Sequence, residues 1–140
     1  MKSRLMGLVV LGVLVAAVRG VAGVPEKVKP AVAAAEKWLA LVDQGKYGDS
    51  WKEAAEYFRN AVQPGQWEQA IQAARKPLGR LVSRTVKSTS YRTSLPGAPD
   101  GEYVVIQFAA SFENKASAIE TVTPMRDKDG EWRVSGYYIK

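Results

Sequence analysis

The sequence predicts an α+β protein in which three N-terminal helices pack on a four-stranded antiparallel sheet. Apolar residues recur at helical spacing in the first half of the chain, whereas the second half is rich in β-branched and aromatic residues. The links between the last segments are of hairpin length, which favours antiparallel neighbours. Helices followed by strands, rather than alternating with them, indicate a sheet covered by helices on one face.

The N-terminus is predicted to be a secretory signal peptide over residues 1–23. Lys2 and Arg4 precede the apolar run Leu5–Val18, and small residues follow it, which is the layout of such a signal. An uncleaved membrane anchor is the alternative, although the run is shorter than the roughly 20 residues that span a bilayer. We therefore expect an exported protein, periplasmic or secreted, with no stable membrane anchor after cleavage.

A single domain over residues 31–140 is expected after a short lead-in at residues 24–30. Three apolar stripes at helical spacing predict its three helices. The first stripe ends before Gly45, the second runs through residues 51–62, and the third through residues 67–74. The motifs "QPG" and "KPLG" are expected to end the second and third helices.

Four strands are predicted over residues 81–95, 102–113, 118–126 and 131–139. Alternation in the second strand gives one face that is more apolar and is expected to meet the helices. That face carries Val104, Ile106, Phe108, Ala110 and Phe112.

The outer face of the sheet is the predicted site of a homodimer contact. Strict alternation in the last strand places Trp132, Val134 and Tyr138 on one side and Tyr137 on the other. An uncovered outer face would then be fairly apolar, since it would carry Tyr103, Val105, Ala109 and Tyr137.

The composition removes several classes of chemistry. The chain has no cysteine and no histidine, so disulfides, thiolate metal sites, cysteine nucleophiles and a Ser-His-Asp triad are excluded. No metal site and no cofactor are expected. Removing residues 1–23 removes three basic residues and no acid, so the net charge falls from +6 to +3. A mildly basic exported domain argues against nucleic acid as a partner.

Four stretches of the chain carry a family resemblance. They are "AEKWLALVDQGKYGDSWKEAAEYF", "KPLG", "LPGAPDGEYVVIQFAASFENKASAIETVTPM" and "WRVSGYYI". From about Val28 to Lys140 the sequence resembles the bacterial domain-of-unknown-function family DUF4019. The resemblance implies a cystatin-like or nuclear-transport-factor-2-like (NTF2-like) fold, in which a curved antiparallel sheet wraps helices. It also implies an exported bacterial protein. It implies no activity, because the family has no assigned catalytic residues.

Glu120 is the acid that the sequence singles out, because it lies in mid-strand between apolar and β-branched neighbours. Three interpretations are open. Burial without a partner would favour its protonated form and make it a candidate base. Pairing with Arg75 or Arg84 would give Glu120 a structural role. Exposure to solvent would give it neither a catalytic nor a structural role. The candidate pocket or ion pair therefore comprises Glu120, Arg75 and Arg84.

Other polar and aromatic residues have simpler interpretations. Asp43 is expected to bond a backbone amide in the "DQGK" turn. The four tryptophans are interpreted as core residues rather than as a platform for a sugar or peptide. The basic run from Arg75 to Arg92 is interpreted as a solvated face, with an anionic surface as the alternative ligand.

These observations favour a non-catalytic binding or protein-interaction module of the cell envelope. Its partner, a protein or a small molecule, is not identified by the sequence. The alternative is a small-molecule isomerase or dehydratase that uses a carboxylate inside the cone of the fold. The absence of histidine and of a clear inward pair of acids favours the binding module.

Overall fold

The computed structural model describes residues 23–140, so the predicted signal peptide lies outside the described residues except for Gly23. Four α-helices precede four strands. The helices are α1 (Lys29–Asp43), α2 (Tyr47–Lys52), α3 (Glu56–Ala61) and α4 (Pro64–Arg75). The strands are β1 (Leu81–Arg92), β2 (Tyr103–Phe112), β3 (Lys115–Arg126) and β4 (Trp132–Ile139). Short 3-10 helices, Glu26–Val28 and Lys76–Leu78, precede α1 and follow α4.

The described chain has four α-helices, so the prediction of three is wrong. The segment expected to form the second helix is divided into α2 and α3 at Ala54 and Ala55. Ala55 adopts an extended conformation, and its N–H donates to the carbonyl of Val134 in β4 at 2.8 Å. The Arg59 Nε donates to the carbonyl of Ala54 at 3.0 Å. Because the N–H of Ala55 bonds to the sheet and not to a carbonyl of the preceding helical turn, α2 ends before this residue.

The sheet is antiparallel with the strand order β1-β2-β3-β4, as hairpin connections require. The predicted inner face of β2 is confirmed, since all five of its side chains are buried. α1 packs against β3 and β4 on this face. Val24 and Val28, in the lead-in, are buried with the same core.

A β-bulge in β4 changes which tyrosine points inward. Val122 pairs with Tyr137 and Pro124 pairs with Val134, so two residues of β4, Ser135 and Gly136, lie opposite one residue of β3. Alternation therefore shifts by one residue at this point. The prediction that Tyr137 faces outward and Tyr138 inward is wrong: Tyr137 packs against Trp38 inside the fold, and Tyr138 is 61% exposed.

The outer face of the sheet is consequently less apolar than the sequence indicates. Tyr137 is absent from it, and Tyr103 is buried with its hydroxyl bonded to the carbonyl of Pro99. Val105 and Ala109 remain partly or fully exposed on this face. Pro124 is tolerated in a central strand because it lies beside the bulge, where the ladder is already irregular.

Candidate functional site

Five side chains from five different elements meet beneath the helices, and we call them the buried charge cluster. Its members are Asp43, Arg75, Arg84, Glu120 and Tyr137. The structure thus brings together all three residues singled out in the sequence and adds two more. The side chain of Glu120 is 0% exposed, that of Arg75 6%, that of Arg84 12% and that of Asp43 20%.

The two acids reach the cluster for different reasons. Asp43 is the last residue of α1, and the turn that follows it exposes its backbone while its side chain points back into the fold. Glu120 lies in the middle of β3 on the face that meets the helices, and it pairs with Phe108 of β2. A carboxylate at such a position needs compensating partners, because burying an unpaired charge is costly.

Arg84 crosses the width of β2 to reach Glu120. It pairs with Ala110 in β2, and Ala110 in turn pairs with Ala118 in β3. The two alanines leave space above the sheet, so the arginine side chain extends over β2 towards β3. A larger residue at position 110 would stand in the path of the guanidinium.

The guanidinium of Arg84 is held between the two carboxylates. Its Nε and Nη2 donate to Glu120 at 2.6 and 3.2 Å, and its Nη1 and Nη2 donate to Asp43 at 2.7 and 2.9 Å. Both contacts are bidentate, which is the geometry that the planar fork of arginine favours. Every nitrogen of this guanidinium is therefore engaged.

Arg75 supplies the second positive charge, although with fewer bonds. Its Nη2 donates to Asp43 at 2.8 Å, and its Nη1 lies 3.9 Å from Glu120 Oε2, which is close enough for attraction but too long for a hydrogen bond. Nε and Nη1 have no hydrogen-bond partner in the described part of the chain. The guanidinium carbon lies 4.8 Å from the ring centroid of Phe112, a cation–π contact.

Tyr137 completes the coordination of Glu120. Its hydroxyl donates a short hydrogen bond to Glu120 Oε2. Its ring lies 5.6 Å from that of Trp38, so packing also fixes the tyrosine. Glu120 therefore accepts from one arginine and one tyrosine, with a second arginine nearby.

The electrostatics of the cluster favour fixed protonation states. Burial alone would raise the pKa of Asp43, but hydrogen bonds from Arg84 and Arg75 outweigh it and hold this pKa below its usual value. Burial alone would lower the pKa of Arg84, and its bonds to the two carboxylates raise it instead. Burial, and then the charge of Glu120 and the bond to it, raise the pKa of Tyr137 well above 10.

The cluster is suited to stabilising the fold rather than to catalysis. Two carboxylates face two guanidinium groups, so the net charge is zero, and the tyrosine stays neutral as a donor. The oxygens of Glu120 are occupied and removed from solvent, so this carboxylate is not accessible to a substrate in this arrangement. Within residues 23–140 there is also no group of three acidic side chains that could hold a metal ion.

For two members of the cluster, Asp43 and Tyr137, the prediction from the sequence is wrong. Asp43 bonds Arg75 and Arg84 rather than a backbone amide of the turn, because these guanidinium groups lie within 2.9 Å of its oxygens. Tyr137 was placed on the outer face. The glycine at position 136 is the signal that indicates a bulge there, since a glycine inside a strand pattern often marks one.

Three of the four tryptophans hold the helices together through their indole N–H groups. Trp38 donates to the carbonyl of Ser50, Trp67 to the hydroxyl of the same serine, and Trp51 to the carbonyl of Val62. Trp132 differs, since its indole has no acceptor within residues 23–140 and its side chain is only partly buried. This leaves one tryptophan that core packing does not fully explain.

Trp132 lines a groove between α1 and the start of β4. The groove has a volume of about 350 Å³. Its lining combines apolar and charged residues. The apolar ones are Trp132, Trp38, Ala34, Leu41 and Val134, and the charged ones are Lys37, Arg133, Glu53 and Glu131. It is separate from the buried charge cluster, because none of the five cluster residues lines it.

The basic run divides into buried and exposed members. Arg75 and Arg84 belong to the cluster, whereas Lys76, Arg80 and Lys87 are exposed. Only part of the positive charge is therefore available to a ligand. No helix in the described range, residues 23–140, is long and apolar enough to cross a bilayer.

Comparison with protein-family models identifies a family. A family model described as "Protein of unknown function (DUF4019)" matches residues 34–137, which include all five members of the buried charge cluster. Searches of curated proteins and of solved structures gave no match. Because the matched segment covers most of the chain, this protein belongs to the DUF4019 family.

Proposed function

We propose that this protein is an exported, non-catalytic binding module of the bacterial cell envelope. The observation that carries the proposal is the buried charge cluster, in which both carboxylates are already neutralised by arginine. The buried polar side chains thus hold the helices and the sheet in position relative to one another. Recognition is then left to surface features such as the groove beside Trp132.

Export is supported by the sequence of residues 1–23, whose basic start, apolar run and small residues suit a secretory signal. The mature domain is therefore proposed to act in the periplasm or outside the cell. Its fold is proposed to be of the cystatin-like or NTF2-like type, supported by four consecutive antiparallel strands with α1 on one face.

The alternative, an isomerase or dehydratase, is favoured by one contact. A tyrosine hydroxyl bonded to a carboxylate is an arrangement suited to proton transfer. Complete burial of Glu120 and its bidentate bond to Arg84 weigh against this use. An enzyme of this kind would need Arg84 to move away before substrate could reach the carboxylate.

The proposal is tested by fractionation combined with a search for turnover. Full-length protein with a C-terminal tag is expressed in a Gram-negative host, and its mature N-terminus is determined by mass spectrometry. We expect periplasmic or secreted protein that begins at Gly23 or Val24. The purified protein is then incubated with envelope extract, and we expect a component that is retained and recovered chemically unchanged. Conversion of an extract component that is lost in Tyr137→Phe would overturn the binding-module proposal and support the enzyme.

A further inference from the structure

Trp132 contributes part of its surface to the lining of the groove. The guanidinium of Arg126, in β3, lies 6.0 Å from the ring centroid of Trp132. Arg126 is not among the residues that line the groove. Trp132 is only partly buried, and it borders the groove together with Trp38, Ala34 and Leu41.

The rim of the groove offers both hydrogen-bond donors and acceptors. Lys37 extends from α1, Glu53 from the segment after α2, and Glu131 precedes β4. Their side chains are exposed, and in the part of the chain that the structure describes they have no hydrogen-bond or salt-bridge partner. The indole N–H of Trp132 adds one more donor without a protein acceptor.

The mixture of charges at the rim limits the class of ligand. A strongly anionic ligand would be repelled by Glu53 and Glu131, and a strongly cationic one by Lys37 and Arg133, which also lines the groove. A neutral molecule with many hydroxyls is compatible with both signs, because each hydroxyl donates to a carboxylate or accepts from an ammonium group. Sugar rings combine such hydroxyls with a C–H face that packs on an aromatic ring. A groove of about 350 Å³ is at the lower end of ligand-pocket sizes, which suits one or two rings.

We propose that this groove binds a neutral saccharide, with one sugar ring packed on Trp132 and its hydroxyls bonded to Lys37, Glu53 and Glu131. The proposal rests on the binding-module function and specifies its ligand. It also assigns a role to the one tryptophan whose N–H is unused. The groove and the buried charge cluster share no residue, although Trp38, which lines the groove, packs against Tyr137 of the cluster.

The experiment titrates the exported protein with two neutral disaccharides, N,N′-diacetylchitobiose and maltose. Binding is followed by tryptophan fluorescence and by the indole N–H resonance of Trp132. We expect saturable binding of at least one disaccharide, with the largest indole shift at Trp132, a smaller one at Trp38, which also lines the groove, and little change at Trp51. The two sugars distinguish an N-acetylated glycan from a plain glucan as the source. No saturable binding of either at concentrations up to about 10 mM overturns the proposal.

Variants locate the site. Trp132→Ala is expected to weaken binding about tenfold or more, whereas Trp132→Tyr, which keeps an aromatic ring, should retain most of it. Since Trp132 also packs on the core, the double variant Lys37→Gln with Glu53→Gln provides an independent test on exposed side chains. It should weaken binding several-fold without changing the unfolding midpoint. Tyr138→Ala, on the outer face, is the control. Binding that these groove variants leave unchanged contradicts the proposed site.

Failure of this inference is distinguishable from failure of the general function. Retention of an unaltered envelope component together with no disaccharide binding overturns only the ligand class. Absence of both overturns the binding module as well. Disaccharide binding that is lost in Trp132→Ala and kept in Tyr137→Phe supports both, because the second variant removes only the hydroxyl bonded to Glu120 and keeps the ring that packs against Trp38.

Discussion

Tyr137 lies diagonally opposite Glu120 across the β3–β4 pair and donates its hydroxyl to Oε2 of that carboxylate. The contact depends on the bulge at Ser135 and Gly136, since regular alternation after Val134 would turn Tyr137 towards the outer face. The extra residue in the edge strand β4 therefore allows Glu120 to accept a hydrogen bond from a tyrosine in addition to those from arginine. The consequences can be measured residue by residue.

Replacement of Tyr137 by phenylalanine is expected to lower the free energy of unfolding by about 1.5–3 kcal/mol. The ring would still pack against Trp38, but Oε2 of the buried Glu120 would lose a hydrogen bond to a charged acceptor. Urea denaturation of both proteins measures the difference. Tyr138→Phe, at an exposed position of the same strand, is the matched control and should change stability by less than about 0.5 kcal/mol. Equal effects of the two changes would contradict the assigned role.

Alkaline pH should destabilise the protein through the same tyrosine. The pKa of Tyr137 is raised by burial and by Glu120, whereas in the unfolded chain it is near 10. Above pH 10 the unfolded state therefore binds fewer protons than the folded state, and stability falls as pH rises. The decrease due to Tyr137 approaches about 1.4 kcal/mol per pH unit. Unfolding measured between pH 9 and 11.5 should give a shallower slope for Tyr137→Phe. Burial also raises the pKa of Tyr103, so the slope should not vanish.

Deletion of Gly136 is expected to be tolerated. Removing one of the two bulged residues leaves Val134 and Tyr137 two positions apart, so both still face the helices in a regular strand. Insertion of a second glycine after Gly136 would leave Tyr137 four positions after Val134, so it would still face the helices but would lie opposite Glu120 instead of Val122. We expect the deletion to cost no more than about 2 kcal/mol, and the insertion to cost more, because it moves Tyr137 along the strand from its contact with Trp38 and shifts the pairing of the residues that follow. Denaturation curves, with tyrosine titration as a probe of Tyr137, compare the two. A deletion as damaging as the insertion would mean that the bulge has a different role.

The sequence was sufficient for features that have local causes. The four strands, the α4 helix and its end before Gly79 follow from periodicity and from turn residues. The break at Ala54 and Ala55 has no local signal, because alanine is the best helix former. Its cause is a hydrogen bond to Val134, about eighty residues away in the sequence, and such a contact becomes visible only once the sheet is formed.

The candidate site shows the same division. The unusual position of Glu120 in a strand was sufficient to single it out and to name Arg75 and Arg84 as partners. The geometry that joins them depends on strand register and on Ala110, which periodicity does not reveal. Asp43 lies at a helix end, where a turn offers a plausible local partner, so its bonds to two distant arginines could not be predicted.

Acidic pH should also destabilise the protein, and Asp43 contributes to this. Its pKa is held below the usual range in the folded state: burial alone would raise it, but the bonds from Arg84 and Arg75 outweigh burial. Its contribution is fully present above about pH 4 and is lost as pH falls through the lower folded value, where the unfolded state binds more protons. Asp43→Asn should reduce the dependence of stability on pH between about 2 and 4. The pKa of Asp129 is lowered to about 2 by Arg133, so part of the dependence should persist. An unchanged pH dependence would argue against the ion pairs of Asp43.

Among the members of the buried charge cluster, we expect replacement of Arg84 to lower the free energy of unfolding most. Arg84→Met leaves Glu120 and Asp43 without their shared bidentate partner and should cost about 3–5 kcal/mol. Arg84→Lys should recover only part of this, since an ammonium group cannot serve both carboxylates in the same way. If the charges are coupled, Arg84→Met combined with Glu120→Gln should cost less than the sum of the single changes by about 1–3 kcal/mol.

The matched control for this cycle is the exposed pair Lys128–Glu56, whose nitrogen and oxygen lie 3.6 Å apart. Its double-mutant cycle, with Lys128→Met and Glu56→Gln, should give a coupling of less than about 1 kcal/mol because solvent screens the pair. Urea denaturation measures both cycles at the same ionic strength. Raising the salt concentration should weaken the control coupling more than that of Arg84 with Glu120, since the buried pair is screened less. Additive effects of Arg84→Met and Glu120→Gln would show that the two groups contribute independently, contrary to the bidentate contact between them.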